Sequence, residues 1–80
     1  MNIRSLIFAV LTEVSNEQHK VLEPLSDDLS LLDSGLDSLC FAIAVARLED
    51  TLELDPFETT EEFPITVGDF VRLYENAAAT

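Results

Sequence analysis

Gly35-Leu36-Asp37-Ser38-Leu39-Cys40-Phe41-Ala42-Ile43-Ala44-Val45-Ala46-Arg47-Leu48-Glu49-Asp50-Thr51-Leu52 decides how the rest of this chain is read. From Ser38 to Thr51 it holds no proline or glycine and is rich in Leu and Ala. That predicts a helix with Asp37 or Ser38 as its N-cap. On a helical wheel Phe41, Ala44, Val45, Leu48 and Leu52 share one broad face, expected to be core. Leu39, Ala42, Ile43 and Ala46 form a second apolar strip, with Arg47, Glu49 and Asp50 arriving only in the later turns. An exposed apolar strip calls for a partner.

Upstream, Ile3, Leu6, Ile7, Val10, Leu11 and Val14 recur at i, i+3, i+4, i+7, i+8 and i+11, the stripe of an amphipathic helix that fades near Ser15-Asn16. Between the two helices, residues 16–37 lack a period. Val21, Leu22, Leu25, Leu29, Leu31 and Leu32 are scattered as apolar anchors, which predicts a long tethered loop. Downstream, Pro56 and Pro64 bracket Phe57 to Phe63 and leave room for one or two turns of a short third helix. Thr66 and Asp69 resemble a capping box with Asp in place of Glu, opening a last stripe of Val67, Phe70, Val71, Tyr74 and Ala77. The tail Ala78-Ala79-Thr80 is expected to fray. The expectation is a single all-α domain over residues 1–80: three principal helices in a small bundle, one short helix and a long first loop.

Eighty residues allow one modest core and no deep catalytic cleft. Sixteen acidic against four basic residues give a formal charge of -12, which repels nucleic-acid phosphate and anionic membranes and favours partners with basic patches. With 48% apolar residues the chain should fold. No run approaches the ~20 apolar residues of a membrane span, and Thr12-Glu13 interrupts the one N-terminal stretch that a signal peptide would need. A lone cysteine, Cys40, excludes an internal disulfide and suits a reducing, cytoplasmic setting.

Gly35-Leu36-Asp37-Ser38-Leu39 resembles the Gly-x-Asp-Ser-Leu motif of the acyl and peptidyl carrier protein family, which opens the second of four helices. The order of elements, the length and the acidity agree with it along the whole chain. The resemblance implies that Ser38 carries 4'-phosphopantetheine through a phosphodiester, with Asp37 and Leu39 as motif neighbours. It implies a protein that is no enzyme and shuttles an acyl or aminoacyl thioester as a monomer. Its partners would be a phosphopantetheinyl transferase, a loading ligase and a downstream transferase or synthase. A helix N-terminus suits the added phosphate, since its N-H groups and dipole favour negative charge there.

The resemblance further implies docking through the second helix, here expected at Leu39, Ile43, Ala46 and Asp50. Cys40, Phe41 and Ile43 stand where fatty-acid-synthesis carriers have polar residues, which points to a specialised pathway. The alternative for Ile43 is packing against Leu31 or Leu32. The alternative for the whole chain is an unmodified helical module that regulates a partner through this helix. Small residues Ala42, Ala44 and Ala46 leave space either for a lipid chain or for close helix packing.

His19 has no second histidine or cysteine with which to bind a metal and is expected to be solvated. Cys40, two residues after Ser38, reads as a small packing residue. Asp27, Asp28, Asp33 and Asp37 lack the ligand alternation and terminal Glu of a calcium loop. Asp33-Ser34-Gly35-Leu36-Asp37-Ser38 also looks like a phosphodegron, a match that its place at the mouth of a helix makes incidental.

Overall fold

Asn2 sets the start of the first helix: its side chain accepts a hydrogen bond from the Ser5 N-H at 3.1 Å, and α1 then runs Ile3–Glu17. The computed structural model describes residues 2–58 and 63–79. Of the predicted stripe, Ile7, Val10, Leu11 and Val14 are buried, and Ile3 and Leu6 pack at its edge. The helix stops at His19, which sits exposed in the left-handed region at φ 57.

The second helix, α2, spans Ser38–Leu52 with Asp37 as N-cap and ends on Glu53 at φ 56. The third, α3, spans Val67–Ala79. Its cap is the expected reciprocal pair. The Asp69 N-H donates to Thr66 Oγ1 at 3.1 Å, and the Thr66 N-H donates to an Asp69 carboxylate oxygen at 3.3 Å. Val67, Phe70, Val71 and Tyr74 are buried as the stripe predicts. Ala78 and Ala79 are helical and not frayed; Thr80 lies outside the described residues.

The chain is all-helical. Among the described residues the only strand-like pairing is an isolated antiparallel bridge, Ser30 with Thr66. Of the short third helix, the described part is one 3-10 turn, Pro56–Glu58; residues 59–62, where it was expected to continue, lie outside the described residues. A second 3-10 turn, Leu31–Asp33, was not anticipated.

Helix α1 is the centre of the bundle. It packs on both α2 and α3, while those two meet only sparsely. This geometry corrects the core face expected of α2. Its fully buried residues are Cys40, Ala44 and Leu48, turned toward α1, whereas Phe41, Val45 and Leu52 are half-buried at the edge. The face is rotated because α1 supplies the packing surface and α3 stands away.

The loop is tethered, though not by all six anchors. Leu31 is buried and Leu22, Leu25 and Leu29 pack against the core, but Val21 is 83% and Leu32 92% exposed. Leu31 and Leu32 are neighbours on one tight turn, so burying the first turns the second outward. Much of the holding is polar. The Glu23 N-H donates to the Ser34 carbonyl at 2.9 Å, the Leu31 N-H to Ile65 at 2.9 Å, and the Val67 N-H to Leu29 at 2.9 Å.

All four basic side chains are engaged with carboxylates: Arg4 with Asp27, Lys20 with Asp37, Arg47 with Glu17, and Arg72 with Asp69. Such exposed pairs contribute little individually. The first three nonetheless join α1 to the loop, the loop to α2, and α2 back to α1.

Candidate functional site

The approach to Ser38 is built by three residues. Gly35 turns the chain at φ +95, and a Cβ there would collide with the Val21 carbonyl. Only glycine combines that conformation with that closeness. Ser34 is buried, donates from Oγ to the Leu31 carbonyl at 2.7 Å and accepts from the Leu36 N-H at 3.3 Å. Leu36 is buried and anchors the turn. Ser38 follows as the first residue of α2, with its side chain exposed.

Asp37 caps the helix by accepting from the Cys40 N-H at 2.9 Å, and Lys20 Nζ lies 3.3 Å from its other oxygen. The Cys40 N-H, followed by Lys20, holds the Asp37 carboxyl down at about 2, so the cap is ionised at neutral pH. The Ser38 and Leu39 N-H groups precede any intrahelical acceptor. Together with the helix dipole they make the surroundings of Ser38 Oγ tolerant of phosphate. Cys40, two residues on, points away into the core. Burial, reinforced by Asp37, pushes its thiol up, which leaves it a packing residue.

The expected docking residues separate into two kinds. Leu39, Ala46 and Asp50 are exposed on the outer face of α2, Leu39 by 57%. Ile43 is half-buried and packs against the core cluster. Leu31 and Leu32, the packing partners considered for it, line the opposite flank of α2 beside Ala42 and Val45.

That opposite flank holds what the sequence did not announce. Between α2 and α3 lies a groove of about 1000 Å³ that begins at Ser38 and is walled mainly by apolar side chains, among them Leu32, Phe41, Phe57, Phe63, Ile65 and Phe70. Ala42 and Ala46 line it, so their small size does leave space, whereas Ala44 is buried in the core. Phe63 and Ile65, 69% and 71% exposed, extend the apolar surface along its rim. The hint in the sequence was the pair Phe57 and Phe63 between prolines, aromatics with no helix long enough to bury them. Lys20, the one cation of the long acidic loop, was likewise visible but had no assigned partner.

Among the described residues no group of three or more His, Cys, Asp or Glu side chains is placed to hold a metal, and no helix is long and apolar enough to cross a membrane.

No family profile matches the chain, and no solved structure matches it. A curated relative is the non-reducing polyketide synthase pgmA of Aspergillus terreus, 44% identical over 46 residues. The matched segment covers 58% of this chain and 2% of the synthase. The similarity is therefore to a small piece of a very large protein and is compatible with a carrier-type domain.

Proposed function

We propose that this chain is a carrier whose Ser38 accepts 4'-phosphopantetheine and presents an acyl or aminoacyl cargo to partner enzymes. The observation that carries the reading is the placement of Ser38: exposed, first in a 15-residue helix, capped by Asp37, and at the mouth of an apolar groove. The partial likeness to a polyketide synthase supports a polyketide-type cargo.

The arm's thiol supplies the thioester chemistry, and the chain's own residues do the positioning. In the modification the Ser38 Oγ–P bond forms as the pyrophosphate P–O bond of coenzyme A breaks. Adenosine 3',5'-bisphosphate leaves, and the serine proton passes to the transferase. Gly35 and Ser34 fix the direction of approach, while Asp37 keeps the helix end formed. In this reading the protein is a cytoplasmic monomer without catalytic activity of its own. It meets a phosphopantetheinyl transferase, a loading ligase and a downstream transferase or synthase in turn.

Intact-mass analysis after incubation with coenzyme A and a phosphopantetheinyl transferase tests it. The wild type should gain one phosphopantetheine and Ser38→Ala none. No gain on the wild type, or an equal gain on Ser38→Ala, sinks the proposal and leaves the unmodified binding module standing.

Docking is assigned to Leu39, Ala46 and Asp50, with Ile43 contributing its exposed edge. Because Ile43 also packs on the core, a charge there perturbs the fold itself. Leu39→Glu is the cleaner probe. It should slow transfer between partners about tenfold or more, the loss of roughly one buried apolar contact, with unfolding unchanged. Unaltered transfer rates would remove Leu39 from the interface.

A further inference from the structure

Among the described residues the buried polar side chains are satisfied, with one exception. Ser15 and Ser34 donate to backbone carbonyls at 2.7 Å. The Tyr74 hydroxyl, on a side chain with no exposed surface, has no hydrogen-bond partner among the described residues. A buried hydroxyl without a partner is destabilising, and phenylalanine would fill the same space without that cost. The hydroxyl therefore calls for an explanation outside the folded chain.

Its position supplies one. The Tyr74 ring packs edge-on against Phe70 at 5.4 Å and Phe57 at 6.3 Å between centroids, and both of those rings line the groove that begins at Ser38. Phe70 is fixed in the core, but Phe57 is only half-buried and stands on a single 3-10 turn. Its ring touches the phenol ring on one side and lines the groove on the other, whereas Tyr74 itself is not part of the groove's lining. Burial, then the charges of Asp55 and Glu49, push the phenol up to about 12, which keeps it a donor at neutral pH. The groove's volume stands at the upper end for small-molecule sites.

We propose that Tyr74 is the hydrogen-bond donor of this groove for a ketone oxygen of the bound chain, so that keto-acyl cargo is selected over plain alkyl cargo. An alkyl chain leaves the phenol unpaired, whereas a ketone oxygen that reaches it past a turned Phe57 ring accepts its hydrogen bond. Glu49 at the groove wall and the overall charge of -12 exclude an anionic chain. The inference rests on the carrier reading only for how the cargo arrives, since groove and phenol belong to the unmodified protein.

The test uses the unmodified protein and two untethered probes, the N-acetylcysteamine thioesters of octanoic acid and of 5-oxo-octanoic acid. Binding is followed by the amide shifts of Phe57, Phe70 and Tyr74. The oxo probe should bind about tenfold more tightly, the effect of one hydrogen bond that satisfies a buried donor. Tyr74→Phe, which keeps the ring, should erase the difference by weakening the oxo probe alone. Equal affinities in the wild type, a difference that survives Tyr74→Phe, or no binding of either probe at millimolar concentration overturns the proposal. Mass gain at Ser38 is measured separately. A protein that discriminates the probes yet gains no mass keeps this inference and loses the carrier reading; the reverse result does the opposite.

Discussion

Gly35→Ala should weaken the fold and slow modification of Ser38 together, although position 35 touches neither coenzyme nor cargo. The new methyl meets two obstacles at once. A non-glycine residue at φ +95 is strained, which costs about 1–3 kcal/mol, and the Cβ collides with the Val21 backbone. The collision involves main chain, so it is relieved only by separating the segment around Val21 from the turn. That movement pulls on the Glu23 N-H bond to the Ser34 carbonyl and on Lys20, which braces Asp37. Urea unfolding gives the first effect and the rate of mass gain with a phosphopantetheinyl transferase the second. A midpoint within error of wild type, with an unchanged rate, would show that the turn does not position the serine.

Phe70→Ala should be the most damaging single truncation in the bundle. Phe70 is 1% exposed, and its ring meets those of Phe41, Phe57 and Tyr74, so it joins α2, the Pro56–Glu58 turn and α3. Removing such a ring costs about 3–5 kcal/mol, against a total stability on the order of 4–12 kcal/mol for a chain of this length. The stability read from urea unfolding should fall by that amount, followed by circular dichroism. Phe70→Leu restores most of the volume and should recover most of the loss. Because α2 and α3 meet only sparsely, no neighbouring helix is placed to collapse into the gap. A loss below ~1 kcal/mol would mean that the aromatic cluster is not the link between these elements.

Periodicity told most where one residue stripe meets one partner. The stripe of α1 and the Thr66-Asp69 cap of α3 were both legible because each is set by neighbours within a few turns. Ser38 was legible as a helix start for the same local reason. The orientation of α2 was not, since it depends on which side α1 occupies, and an apolar helix with wide hydrophobic coverage fits several rotations. Cys40 in the core and Phe41 at the groove are the outcome. Leu32 and Val21 show a further limit. In an aperiodic loop a hydrophobic residue carries no sign of whether it points inward, and here the backbone bonds decide. The groove arises from the sparse meeting of two helices far apart in sequence and therefore leaves no local pattern, apart from two phenylalanines that lack a helix to shelter them.

The polar fastening of the first loop has a consequence for how this molecule fluctuates. In polymer terms the connection from α1 to α2 is a series of small rings and not one large ring. Small rings are closed at Lys20 to Ser15 and at Glu23 to Ser34, while the bonds from Gly68 to Asp27 and from Val67 to Leu29 pin the loop to the start of α3. Closure entropy rises only logarithmically with ring size, so dividing a ring gains little in total stability. What it changes is the size of the unit that opens. One small ring can come undone while its neighbours stay shut, which separates the breathing of the segment beside Ser38 from global unfolding.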